Sequence, residues 1–279
     1  MTTGQPRPTP TPGTDTYTHG HHASVVGQHA RRTAEVEAAY LLPRLRPGMR
    51  LLDIGCGPGT ITTGLARAVA PGEVVGLDVA AAVLDEARAH LATTRLDNVR
   101  FEEGSVYALP SSNAAFDVVH AHQVLQHLTR PADAAREAFR VLRPGGILAV
   151  RECDYATMTH WPHFEGIDRW LAVYHAVAAC NGAEPDAGRR LPSWLRAGGF
   201  EEIVVTSTTM VYSTPAEVQN WGESWAQRIL ESSVATQAVE YGVAARADLE
   251  AISAAWRTWA HDADAFFMFV NVECVATKR

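Results

Sequence analysis

Between residues 49 and 151 the chain alternates between two hydrophobic rhythms. Short, largely apolar runs at 49–54, 73–77, 116–120 and 147–151 read as strands, the first of them buried, and 99–102 reads as a further strand between the second and the fourth. The stretches between the first runs carry helical spacing: residues 61–69 form one helix, and Val83, Leu84, Ala87 and Leu91 share a face of another. A third helix is predicted over 131–142, stopped by Arg143-Pro144-Gly145-Gly146. Strand and helix in alternation imply a parallel sheet with right-handed crossovers and helices on both faces. After residue 151 the rhythm loosens. Residues 153–198 are expected to be helical or irregular, with a helix over about 166–179 and a turn-rich stretch at 181–190. Residues 193–197 followed by Gly198-Gly199-Phe200 signal a helix, a stop and a strand over 203–211. Residues 215–262 again read as helices, and 266–276 as a last, almost wholly apolar strand.

Ahead of the first strand, residues 1–16 are rich in Thr, Pro and Gly and read as a disordered tail. Residues 25–42 look like one or two helices, closed by Pro43 and Pro47-Gly48. The organisation expected is one α/β domain over 17–279, with an N-terminal helical lid (17–48) and helical insertions at 153–198 and 215–262.

Composition narrows the function classes. Among 279 residues, 31 acids against 24 bases give a formal net charge of −7, and no basic cluster appears. That argues against a nucleic-acid partner, which needs a basic face to neutralise phosphates. The four cysteines, Cys56, Cys153, Cys180 and Cys274, are widely spaced, with no C-x-x-C, and read as reduced thiols. No apolar run approaches the roughly 18–20 residues of a membrane span, and no cationic start precedes an apolar run as in a secretory leader. A cytoplasmic protein without a membrane partner is expected. No metal site is expected: His19, His21 and His22 lack helical i, i+4 spacing and a matching acidic cluster.

The most specific segment is Leu51-Leu52-Asp53-Ile54-Gly55-Cys56-Gly57-Pro58-Gly59-Thr60. An apolar strand runs into an acid and then three glycines at alternate positions, where the backbone can turn sharply and a ligand can approach closely. The dinucleotide fingerprint G-x-G-x-x-G would need its third glycine at Thr60 and is not met. The segment resembles motif I of the class I S-adenosylmethionine (SAM) methyltransferases. Asp78 at the end of the second strand, Glu103-Gly104-Ser105-Val106 after the third, Phe116-Asp117-Val118-Val119-His120 and Leu142-Arg143-Pro144-Gly145-Gly146 resemble the family's later motifs in order. The resemblance covers residues 50–151 and is to small-molecule members of the ubiquinone C-methyltransferase and sugar O-methyltransferase kind. It implies a Rossmann-like, seven-stranded, mainly parallel sheet whose last strand runs antiparallel and inserts beside strand five. It also implies SAM as cofactor, S-adenosylhomocysteine as product and a small organic acceptor, such as a secondary metabolite. Two other readings stay open, a SAM-binding protein with a non-methylating or accessory role and a protein methyltransferase. The oligomeric state is left open, a homodimer being one form considered.

Residue by residue, the Gly55, Cys56 and Gly57 loop suits the methionyl carboxylate at a helix start, and Asp53 suits the cationic amine. Asp78 suits the ribose diol, with Val79 beside it; its alternative is a cap on the next helix. Ser105 stands where relatives carry an Asp that meets adenine, so the contact passes to the Val106 backbone and an apolar wall. Tyr17 and His120 are expected against the cofactor. For acid–base work the candidates are Glu152, His127 and His122. Gln126 replaces the first histidine of a His-His pair in sugar O-methyltransferase-like relatives, which weakens a histidine-base reading, and His127 has packing as its alternative. Glu152 ends strand five, where burial would tune it toward the working pH; its alternatives are a solvated end or an ion pair with Arg151. Trp161, Trp170, Tyr174, Trp221 and Trp225 are candidates for an aromatic wall, or for core.

Overall fold

The structure, a computed structural model, describes residues 15, 16, 18 and 32–279. Tyr17, His19, His21, His22, nearly all of the expected tail and residues 25–31 of the expected helical region lie outside the described residues. Seven strands form one sheet in the order β3-β2-β1-β4-β5-β7-β6. They are β1 (Leu51–Ile54), β2 (Val74–Asp78), β3 (Val99–Glu103), β4 (Phe116–His122), β5 (Leu142–Trp161), β6 (Glu202–Tyr212) and β7 (Phe266–Thr277). The first five pair in parallel, and β7 inserts between β5 and β6, antiparallel to both. Chain order reverses between β1 and β4, the switch point where open α/β sheets bind ligands beyond the strands' carboxyl ends.

Alternation of side chains across the pleat separates two cores. On one face Leu51, Val74, Val118, Ala149 and Val275 pack under α1 (Ala34–Glu37) and α2 (Thr60–Val69), with α3 (Ala81–Ala92) lying against Phe101. On the other face Leu52, Val75, Val119, Leu148 and Cys274 pack under α4 (Pro131–Val141) and α6 (Ala187–Ala197). A third core joins α5 (Glu165–Cys180), α7 (Pro215–Glu231), α8 (Ser233–Glu240) and α9 (Arg246–Ala260) to the far ends of β5 and β7. The α7 start is set by a reciprocal cap between Thr214 and Glu217. No helix among the described residues is long and apolar enough to cross a membrane.

The stretch after residue 151 corrects one expectation. Residues 153–161, expected to be helical or irregular, continue β5 along β7, pairing Cys153 with Asn271 and Trp161 with Phe266. The register breaks between Asp154 and Thr159. There the Tyr155 N–H turns to Pro185 O at 3.2 Å and the Ala156 N–H to Asp186 Oδ1 at 2.8 Å, so the bulge leaves both groups satisfied. The described part of 25–42 holds one short helix, α1, and a 3₁₀ turn over Leu42–Arg44.

Candidate active site

The loop from β1 into α2 has left-handed backbone at Gly55, Gly57 and Gly59 (φ 65°, 53° and 77°). A Cβ on Gly55 would strike Val124, and one on Gly59 would strike Phe101 at 2.7 Å. A Cβ on Gly57 would meet nothing within 4 Å, so only Gly57 borders open space. The loop's N–H groups are spent inside the protein. Gly55 and Cys56 donate to Leu77 O (2.7 and 3.1 Å) and Gly59 to Cys56 O (3.1 Å). Gly57 donates to Asp78 Oδ2 at 3.0 Å.

Asp78 Oδ1 accepts the Ala80 N–H at 3.0 Å, a turn bond to the residue that caps α3, so Asp78 is not itself the helix cap. With these two donors, one on each oxygen, the carboxylate keeps acceptor capacity for a diol. The hollow over Gly57 and this carboxylate offer open space and acceptor capacity side by side at the loop. Ser105 is exposed and its Oγ accepts the Tyr107 N–H at 3.2 Å; Val106 is half-buried and Val79 is 75% exposed.

Asp53 and His120 sit deeper. Asp53 accepts from Thr62 Oγ at 2.6 Å and pairs with His120 Nδ1 at 2.7 Å, and both side chains are buried. They brace the loop from behind. The Cys56 thiol is pushed up by burial, then by Asp53 and Asp78, and is no thiolate.

A cavity of about 830 Å³ is lined by the end of β4 and by residues within β5, β7 and β6, among them His122, Cys153, Asn271 and Met210. Tyr212 and Trp221, stacked with centroids 4.3 Å apart, form one wall with Phe269 and Trp225. Gln123, Gln126, Asn220 and Ser224 add neutral polar groups, and four glutamates and three arginines, Arg32, Glu37 and Arg228 among them, add charge. The cavity and the glycine loop meet at one turn. Gln123 lines the cavity with left-handed backbone (φ 53°), while its neighbour Val124 lies against Gly55. Trp221 and Trp225 thus line the cavity, Trp170 and Tyr174 are core, and Trp161 is 62% exposed outside it.

Of the acid–base candidates, His122 and His127 line the cavity and Glu152 does not. Burial, then the charge of Arg32, holds His122 well below the ordinary imidazole range and His127 down to about 3, so both rings are neutral at working pH. The Gln126 amide donates to His127 Nε2 at 3.0 Å, as a neutral ring allows. Glu152 is wholly buried; its Oε1 accepts the Val124 and Leu125 N–H groups at 2.9 and 2.7 Å. Burial outweighs those donors and lifts its carboxyl to about 8. Arg151 points to the other face of β5, where it pairs with Glu37 and, at 3.3 Å, with Glu273, so no ion pair with Glu152 forms.

Glu37, Arg32, Tyr212 and Asn271 are cavity residues absent from the sequence reading. The period-two rhythm of β4 and β5 carried part of the signal, since it groups His120, His122, Arg151 and Cys153 on one face. Nothing local marks Arg32 or Glu37.

Comparison with known proteins agrees with this geometry. A family model described as a methyltransferase domain matches residues 45–238. An uncharacterized methyltransferase of Schizosaccharomyces pombe is 31% identical over 272 residues, covering 94% of this chain and 96% of that protein. A probable methyltransferase of Aspergillus luteorubrus, LtbC, is 30% identical over 281 residues, covering 94% and 97%. Among solved structures, the 4+2 cyclase SpnF is 26% identical, with a TM-score of 0.50 over 91% of this chain and 79% of its own. The chain belongs to the class I SAM-dependent methyltransferases. It is an enzyme of that class, with SAM as its cofactor.

Proposed function

We propose that this enzyme methylates a small organic acceptor, of the kind made in secondary metabolism, held in the cavity beside the glycine loop. The cavity is the observation that carries the reading. Its volume of about 830 Å³ falls within the roughly 300–1,000 Å³ of small-molecule pockets, and an aromatic wall set among polar and charged side chains suits a flat ligand that carries polar groups.

In this reading Asp78 takes the ribose hydroxyls, Gly57 leaves room for the ligand, and Ser105, Val106 and Val79 border the adenine. Asp53 and His120 hold the loop in place from behind, with Gly55 and Cys56 shaping its turn. When bound, SAM supplies a sulfonium methyl that is already activated, and it leaves as S-adenosylhomocysteine. The protein's own work is therefore positioning, exclusion of water and, for a hydroxyl acceptor, removal of a proton. In this reading the proton passes to His122 or, once the Gln126 amide releases its Nε2, to His127. Glu152 acts as a positioning residue, through the turn at Val124 and Leu125 that it holds.

Incubation with methyl-labelled SAM and a panel of hydroxylated and amino small molecules tests the proposal. Label in a small-molecule product with matching S-adenosylhomocysteine supports it; label passing only to protein, or to no acceptor, counts against it. The likeness to the cyclase SpnF favours a second reading, in which the cofactor is bound and the chemistry is not methylation. Its signature is an acceptor altered without S-adenosylhomocysteine being formed.

A further inference from the structure

Away from the cavity, three metal-ligating side chains converge where β5 gives way to α5. His160 is the last residue but one of β5, His163 follows the Trp161-Pro162 turn, and Asp168 lies in the first turn of α5. One carboxylate oxygen of Asp168 is 3.4 Å from His163 Nδ1 and the other 3.9 Å from His160 Nε2. One ligand atom from each of the three lies within 4.8 Å of the other two.

The ring states suit a cation. The Phe164 N–H donates to His160 Nε2 at 3.1 Å, so that nitrogen carries a lone pair and the ring's proton sits on Nδ1. Two imidazoles and a carboxylate are a donor set for a borderline divalent ion, with a further position left to water. Ligands about 2.0–2.1 Å from a tetrahedral ion stand about 3.3–3.4 Å from one another. The His163–Asp168 edge already has that length. The His160–Asp168 edge is longer at 3.9 Å, and the His163 and Asp168 side chains are 70% and 55% exposed, so rotation about their own bonds can tighten the set. Glu165, in the same first turn, adds negative charge against the positive end of the helix. The cost is local: a bound ion would take the lone pair that the half-buried Phe164 N–H now uses.

We propose that His160, His163 and Asp168 bind a divalent transition ion, Zn²⁺ in the first instance. The ion would clip the end of β5 to the start of α5. That helix also carries Trp170, whose ring packs edge-on against Trp225 of the cavity wall at 4.4 Å. The site would therefore stiffen the helix behind the acceptor cavity.

The test uses the full-length, metal-free chain, titrated with Zn²⁺ by calorimetry and with Co²⁺ by visible absorption. His19, His21 and His22 offer a competing set of imidazoles in the sequence, so a triple alanine variant of those three is measured alongside His163→Ala and Asp168→Asn. The expected result is one Zn²⁺ per chain, weakened roughly tenfold or more in each of the two single variants and unchanged in the triple one. Added Zn²⁺ should raise Tm in the wild type and not in His163→Ala. Failure to bind Zn²⁺, wild-type affinity in both single variants, or loss of binding in the triple variant would each overturn the proposal.

Discussion

Gly57 donates its backbone N–H to Asp78 Oδ2 across 3.0 Å, tying the glycine loop of β1 to the tip of β2. The same carboxylate holds the entrance of α3 through Ala80. Asp78→Ala removes both ties together with the acceptor assigned to the ribose. S-adenosylhomocysteine affinity should fall by about 2–3 kcal/mol, because polar ligand groups are left unpaired. Calorimetry on the folded variant checks this, and unchanged affinity would remove Asp78 from the cofactor site.

The three loop glycines should separate experimentally. At Gly57 a methyl meets only open space, so Gly57→Ala should cost roughly 1–2 kcal/mol for its left-handed backbone and weaken cofactor binding. At Gly59 the same change pushes into Phe101 and Ala87 and adds an overpacking cost of about 1–3 kcal/mol. Denaturant midpoints set beside S-adenosylhomocysteine titrations resolve the two. If Gly57→Ala binds like wild type, the hollow is not the cofactor's.

Glu152 predicts a pH dependence of stability. Its carboxyl is raised to about 8 by burial, above its unfolded value, so the protonated form is the one the fold prefers. The associated stability is fully present below the unfolded pKa and is lost as pH climbs toward 8, at up to about 1.4 kcal/mol per pH unit. Glu152→Gln keeps an oxygen for Val124 and Leu125 and cannot ionise. Its Tm should therefore fall less steeply than that of the wild type between pH 5 and 8, a comparison read by thermal melts across that range.

His122 and His127 carry the acid–base part of the proposal. If the acceptor is a hydroxyl, removing the working base should lower kcat by about 10²- to 10⁴-fold with cofactor affinity unchanged. Because both rings are held neutral, neither should produce an inflection in the rate between about pH 6 and 9. Rate profiles for His122→Ala and His127→Ala decide between them. Near wild-type rates in both variants would leave proximity as the main contribution, as expected for an amine or an activated carbon.

Strands β1, β2, β4 and β5 were legible because buried parallel strands are largely apolar runs, while the place of the last strand beside β5 came from the family resemblance that the ordered motifs carry. The cofactor loop was legible for a related reason: left-handed turns select glycine, a local signal. The length of β5 was not. Residues 153–161 are strand because β7 lies alongside them, and a partner more than a hundred residues away leaves no mark on their own pattern. Glu152 and Arg151 show the same limit at finer scale. Both end the apolar run, yet the pleat sends Arg151 to Glu37 and Glu273 and Glu152 to the turn after β4. Arg32 and Glu37 reach the cavity from the segment ahead of β1, a placement only the tertiary fold supplies.

The most direct test of the account is a crystal structure of the full-length enzyme with S-adenosylhomocysteine. The ribose hydroxyls should lie on Asp78, the ligand should pass over Gly57, and the sulfur should face the cavity at Gln123 and His122. A ligand seated away from Asp78, or a sulfur walled off from the cavity by the turn after β4, would contradict it.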